Sequence, residues 1–200
     1  KDIWLPWITS CDYILAESPK SVNRLFKHIK LSEHKPFELM RDYRKRDISQ
    51  KVLDIVTNKE SVVILTDVGQ ACVADPGSSW VDQAHQVGCP VFAIPAHNSI
   101  MYALALSGLN GQQFSFHGYI PREQGQRLKK LETLYRICRT SGATQVFIEA
   151  PFRNKYCFED IQKSIPKDIK CRVVSQIMSQ NQSVKRLEDM TSIEAVPSIF

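Results

Sequence analysis

The chain has 200 residues and a mass of 22.9 kDa, enough for one or two domains that bury about 70% of the unfolded surface. Apolar residues make up 43% and charged residues 24%, which excludes a disordered tail and a fibrous repeat. The formal net charge of +5 permits an anionic partner such as RNA without requiring one.

The longest apolar run, residues 100–106, is short against the roughly 20 residues that a membrane helix needs. No membrane partner is expected. Six scattered cysteines, with no C-x-x-C and no paired His/Cys spacing, indicate neither a metal site nor a thioredoxin motif and read as reduced thiols of a cytoplasmic protein. Both ends read as clipped. Lys1-Asp2-Ile3-Trp4 has no initiator Met or signal profile, and Val196-Pro197-Ser198-Ile199-Phe200 stops in a strand-like run.

From residue 10 to 110 short apolar runs alternate with helical patterns, the signature of βα units around a mostly parallel sheet. Residues 12–16 predict a strand, and Ser18 with Pro19 caps a helix carrying Val22, Leu25, Phe26 and Ile29 on one face. Residues 37–40 suggest a second strand, and Ile48, Val52, Ile55 and Val56 mark the next helix. The β-branched run 61–65 predicts a buried strand. A long loop over 66–77 leads to a helix at 78–86 closed by Gly88, then a strand at 90–94 and a helix at 98–106.

After Gly108 the pattern changes to a smaller α+β unit. Phe114 and Phe116 alternate as in a strand, 124–139 is a long basic helix, and 144–148 is a strand followed by a helix from about Arg153 to Lys163. Residues 172–177 and 184–187 read as an antiparallel pair. The expected division is therefore 1–110, an N-terminal α/β domain, and 111–200, a C-terminal α+β domain with a mixed or antiparallel sheet. Trp4, Trp7 and Trp80 read as core or dimer-contact residues.

There are 8 glycines, none in the first 68 residues. Gly69 and Gly77 sit in the loop after the most strand-like segment, where open α/β sheets bind ligands and where glycine permits close backbone approach. Asp67 suits hydrogen bonds from a ribose or an amine. A turn followed by an ordinary helix cap at Asp75-Pro76-Gly77-Ser78 explains the same residues equally well. The loop is neither a Walker A loop nor a dinucleotide fingerprint.

Several ordered segments resemble the tetrapyrrole methylase superfamily, in its branch of small-subunit ribosomal RNA cytidine 2′-O-methyltransferases. They are Thr66-Asp67-Val68-Gly69 with Ala74-Asp75-Pro76-Gly77, Pro95-Ala96-His97-Asn98-Ser99, Ser107-Gly108-Leu109, Phe114-Ser115-Phe116-His117-Gly118-Tyr119-Ile120-Pro121, Ile148-Glu149-Ala150-Pro151-Phe152-Arg153 and Ala16-Glu17-Ser18. The resemblance runs from about residue 10 to 190 and implies a two-domain α/β fold, S-adenosylmethionine held in a cleft between the domains, and a homodimer. Carried over residue by residue, it points to Asp67, Val68, Gly69, Asn98, Ser99, Gly108, Leu109 and Met178 as cofactor contacts. The family's opening strand has no counterpart in this chain. Its charged Ala-Arg-Glu-Leu-Thr-Lys segment is Ser175-Gln176-Ile177-Met178-Ser179-Gln180 here, and its Pro-Gly-Pro turn begins Pro95-Ala96.

Methyl transfer from a sulfonium is an in-line displacement that needs positioning and exclusion of water more than a nucleophilic side chain. A ribose hydroxyl acceptor must also lose a proton, for which Glu149, Glu17 and His117 are the candidates. Each has a plain structural alternative; for Glu149 it is an ion pair with Arg153 or a helix cap. Basic residues at Arg41, Arg44, Lys45 and Arg46, and along the helix with Arg122, Arg127, Lys129, Lys130, Arg136 and Arg139, read either as contacts to RNA phosphates or as a solvated helix face and loop, the charge being interrupted by Asp42 and Glu132. The leading expectation is ribosomal RNA methylation, with the small ribosomal subunit as partner. The alternatives are a small-molecule methylase of tetrapyrrole type and a non-catalytic relative that binds cofactor or RNA.

Overall fold

The computed structural model describes residues 3–30 and 35–200, apart from the side chains of Lys45 and Arg46. It separates into two compact units, Lys1–Asn98 and Ser99–Phe200.

In the first unit, β1 (Tyr13–Ala16) lies between β2 (Phe37–Leu39) and β3 (Val62–Leu65), all three parallel. Strand alternation sends β1's side chains to two cores. Ile14 and Ala16 pack with Val22 and Phe26 of α2 (Pro19–Ile29) and Ile8 of α1 (Leu5–Ser10). Tyr13 and Leu15 pack on the other face with Ile48, Val52 and Ile55 of α3 (Lys45–Asn58) and Trp80 of α4 (Ser78–Gln86). The Ser18 hydroxyl caps α2 by accepting from the Ser21 N–H. Trp80 is thus a core residue, whereas Trp7 stands exposed with its ring 5.8 Å from that of Phe92.

Two strand expectations are corrected. Of β3 only Val63 is buried, because β3 forms an edge of the three-stranded sheet rather than its centre. Residues 90–94 form no strand. Pro90 and Pro95 bracket the run and supply no N–H to a ladder, and Phe92 is 69% exposed.

In the second unit the sheet order is β4 (Phe114–Tyr119), β5 (Thr144–Glu149), β8 (Ser198–Ile199), β6 (Arg172–Ser175), β7 (Ser183–Arg186). The β4 and β5 strands are parallel, and the remaining neighbours are antiparallel, including the expected β6 and β7 pair. Phe147, Val173 and Phe200 face α6 (Gln124–Ser141) and α7 (Asn154–Ser164). Val146, Val174 and Ile199 face Ile100, Ala103 and Leu104 of α5 (Ser99–Ser107). That packing assigns α5 to the second unit, so the compact division falls earlier in the chain than the change of sequence pattern at 110 and 111. Among the described residues no helix is long and apolar enough to cross a membrane.

Candidate functional site

The carboxyl ends of β1 and β3 bring Glu17, Ser18 and Asp67 together. Parallel pairing carries on past the strands, with the Glu17 N–H donating to Leu65 O at 2.9 Å. The Asp67 N–H then donates to Glu17 Oε2 at 2.8 Å, and the Ser18 hydroxyl donates to Asp67 Oδ1 at 2.5 Å. Asp67 is therefore fixed at both backbone and side chain. Val68 beside it is 74% exposed, and Gly69 has φ +86°.

A Cβ on Gly69 would sit 3.6 Å from Asp75 Oδ2 and 3.7 Å from His97 O. Both are ordinary contact distances, so it is the positive φ rather than crowding that favours glycine here. Burial pushes the Asp75 carboxyl above its ordinary range, and the charges of Glu17 and Asp67 push in the same direction. A carboxyl whose native pKa is raised holds its proton longer in the folded state. Its contribution is present at low pH and is lost as pH rises through the raised value. Asp75→Asn is therefore expected to be more stable than the parent at about pH 8 and to gain little at about pH 4. Urea titrations at both pH values check this, and an equal change at both would remove the carboxyl's charge as the cause.

The other expected cofactor residues are more dispersed. Asn98 closes the first unit and Ser99 opens α5. Ala96 is absent from the positive-φ residues, so the turn that replaces Pro-Gly-Pro makes no demand for glycine there. In the second unit Gly108 takes φ +66° directly after α5, and the Leu109 N–H donates to Ser107 Oγ at 3.1 Å. Met178 is exposed with φ +64°, its N–H donating to Gln182 Oε1 at 2.9 Å.

Of the expected proton acceptors, Glu149 is 4% exposed. Its Oε1 accepts from the Ala150 N–H at 2.7 Å and pairs with Arg153. The ion-pair alternative is thus realised, and both contacts fall on one carboxylate oxygen. Buried Nε and Nη1 of Arg153 have no hydrogen-bond partner, so Glu149 is its neutralising contact. His117 on β4 has Nε2 2.8 Å from Gln145 Oε1 and Nδ1 3.4 Å from Lys130 Nζ. Glu17 is tied to the Asp67 loop as described.

The basic helix is corrected at one position. Arg127 is buried, with its Nη2 2.6 Å from Asp160 Oδ2, and forms no part of a phosphate-facing stripe. Arg136 pairs with Glu132 and Arg139 with Asp168, each at 3.1 Å on the surface, while Arg122 and Lys129 are exposed. Arg41 and Arg44 stand beside Asp42 and Asp47. The Lys45 and Arg46 side chains lie outside the described residues. Two residues not singled out as site residues from sequence complete the loop: Ser18, read as a cap, and Asp75, read as part of a turn, each otherwise named only within a segment that carries the family resemblance. Their signal was their place at the carboxyl ends of the strand and loop that frame Asp67.

A profile of the family described as Tetrapyrrole (Corrin/Porphyrin) Methylases matches residues 5–190. The ribosomal RNA small subunit methyltransferase I of Vibrio cholerae is 30% identical over 146 residues, 73% of this chain and 49% of the relative. The protein of the same name from Halalkalibacterium halodurans is 27% identical over 154 residues, 77% of this chain and 51% of the relative. The chain spans about half the length of these relatives. Among solved structures, the methyltransferase CobJ superposes with a TM-score of 0.59 at 14% identity, covering 98% of this chain and 84% of that one. Cobalt precorrin-4 methyltransferase CbiF gives 0.59 at 13% identity, covering 98% and 85%. At these identities the structures show a shared fold.

Proposed function

Because the chain belongs to the tetrapyrrole methylase family, we propose that it is an S-adenosylmethionine-dependent methyltransferase acting on a ribose 2′-hydroxyl of ribosomal RNA. The observation that carries the reading is the loop at Asp67, Val68 and Gly69, anchored by Glu17 and Ser18 at the carboxyl ends of parallel strands. The names of the relatives at 27–30% identity support the RNA substrate.

Asp67, Val68 and Gly69 would hold the cofactor, together with Asn98, Ser99, Gly108, Leu109 and Met178. The fit is favourable at Gly69, whose φ of +86° is a backbone conformation that L side chains rarely adopt. When bound, S-adenosylmethionine supplies an electrophilic methyl group on a sulfonium centre. Glu17 and Ser18 are positioning residues that fix Asp67. Glu149 would accept the acceptor hydroxyl's proton on the carboxylate oxygen that does not carry Arg153 and the Ala150 N–H. Both ring nitrogens of His117 are engaged, which favours a positioning role there. Exposed Arg122 and Lys129 would meet RNA phosphates. Free thiols at all six cysteines support a cytoplasmic setting, and the family resemblance supports a homodimer.

Calorimetric titration with S-adenosylhomocysteine tests the reading, followed by transfer of a labelled methyl group to small ribosomal subunits. Saturable binding and labelled RNA are expected; no binding would sink the cofactor assignment, and binding without transfer would sink the activity. Glu149→Gln is expected to reduce transfer by about a hundredfold or more, the usual scale for general-base catalysis, while leaving S-adenosylhomocysteine affinity unchanged. Undiminished transfer by a folded variant would remove Glu149 from the mechanism.

A further inference from the structure

The start of α7 displays two aromatic rings within one turn of the Glu149 and Arg153 pair. A 3-10 turn, Pro151–Arg153, leads straight into α7, so Phe152, Lys155, Tyr156 and Glu159 follow one another at i, i+3, i+4 and i+7 along one helical face. Cys157, Phe158 and Ile161 take the opposite face and pack in the core. Phe152 is 75% exposed, the most of any large apolar side chain among the described residues, and Tyr156 is 61% exposed.

The backbone under these rings is tied down. Asn154 is fully buried, its Nδ2 donating to Glu194 O at 3.0 Å and to Val196 O at 2.7 Å. The Arg153 N–H donates to Ala150 O at 2.8 Å, and its guanidinium pairs with Glu149 at the end of β5. The turn that bears Phe152 is thus fixed to the carboxylate and to the core, and a ligand that covers the ring has little backbone left to order.

The charges on this face decide what would cover it. Exposed Lys155 stands between the two rings in the order of the face, and exposed Lys163 lies two turns beyond Tyr156. Half-buried Glu159 is the carboxylate among them. Arg127, through Asp160 and Arg122 O, ties α7 to the start of α6, where Arg122 is exposed. An apolar peptide laid across Phe152 and Tyr156 would strip water from the Lys155 ammonium and bring no counter-charge. A single strand of RNA supplies a π-face for each ring and a phosphate for the lysine between them.

We propose that Phe152 and Tyr156 form a stacking ledge for unpaired bases that flank the methylated ribose, with Lys155 on the phosphate between them. This rests on the reading of the chain as an RNA methyltransferase and extends it to the form of the substrate. In a duplex the base faces are closed by their neighbours, so the ledge selects single-stranded RNA.

The test titrates a fluorescein-labelled oligouridine of about 12 nucleotides, enough for one site, into the 200-residue protein, with anisotropy as the readout. Phe152→Ala and Tyr156→Ala are each expected to weaken binding about tenfold, the scale of one lost base stack, and Phe152→Trp to retain it. All three are expected to leave S-adenosylhomocysteine affinity unchanged. Lys155→Gln is expected to flatten the salt dependence by about one phosphate contact, whereas Phe152→Ala leaves the slope as it was, which separates stacking from charge. After hybridisation to oligoadenosine, parent and Phe152→Ala are expected to bind alike. Equal oligouridine affinity for parent and Phe152→Ala, or the same loss on the duplex, would overturn the ledge while methyl transfer by the parent kept the methyltransferase reading. Failure of the parent to bind RNA would sink the RNA substrate and the ledge with it. A change in oligomeric state of Phe152→Ala on sedimentation would assign the rings to a contact between copies instead.

Discussion

Replacing Asp160 by Ala is expected to cost about 3–5 kcal/mol, the scale on which a broken buried ion pair destabilises a protein. Asp160 is 1% exposed and Arg127 6%. The carboxylate accepts from Arg127 Nε at 2.7 Å and, through its other oxygen, from Gln124 Nε2 at 3.0 Å. Arg127 Nη1 donates in turn to Arg122 O at 2.7 Å, tying the start of α6 to α7. Removing the carboxylate leaves a buried guanidinium without its counter-charge, and a guanidinium cannot escape by deprotonation. By contrast, Glu132→Ala at the surface pair with Arg136 is expected to change stability by less than about 1 kcal/mol. Thermal melts decide the matter: for a unit of this size the Asp160→Ala loss corresponds to a Tm fall of more than about 12 °C. A fall as small as that of Glu132→Ala would place the pair in water. The double variant Arg127→Met with Asp160→Leu is expected to recover most of the loss, since apolar replacements abolish the unpaired charge.

Arg127 also shows what pattern reading can and cannot extract. Its neighbours in charge, Lys129, Lys130 and Arg136, suggested a basic stripe, yet Arg127, Leu131 and Leu134 are spaced i, i+4, i+7 and share the buried face. Helical periodicity already held the answer, and only the identity of the buried partner on α7 was non-local. The alternation of Tyr13, Ile14, Leu15 and Ala16 between two cores was less legible, because a strand covered on both faces reads as a continuous apolar run. Residues 90–94 failed for a local reason, the flanking prolines. The place of β8 between β5 and β6 was illegible, since a two-residue pairing with strands far back in the chain leaves no periodic trace. At the site, the glycines marked the loop, and Glu17 was named for proton transfer. Its contact with the Asp67 N–H follows from parallel register past the strand ends, a property of the sheet rather than of either segment.

The largest effect on the proposed cofactor loop is expected from Gly77→Ala. Gly77 is buried at φ +127° and starts α4, its carbonyl accepting from the Trp80 N–H at 2.9 Å. A Cβ there would lie 2.8 Å from Cys72 Sγ and 3.3 Å from Ile64 Cγ2. The backbone conformation is itself costly for any L side chain, by about 1–3 kcal/mol. Relief must come from residues 66–77, because β3 and α4 are held by their own pairing and packing. Cys72 and Ala74 already take positive φ within that loop, and the Cys72 N–H donates to Pro76 O at 3.2 Å, so the strain has little slack to enter. It passes to Asp75, beside Gly69. S-adenosylhomocysteine affinity is therefore expected to fall about tenfold or more, the loss of roughly 1.4 kcal/mol of pre-organisation. Adding Cys72→Ala removes the closest contact while leaving the φ strain, so calorimetry should show partial recovery, and the non-additivity measures the steric share. A folded Gly77→Ala protein with undiminished affinity would mean that residues 66–77 do not hold the cofactor, and the proposed site would have to be abandoned.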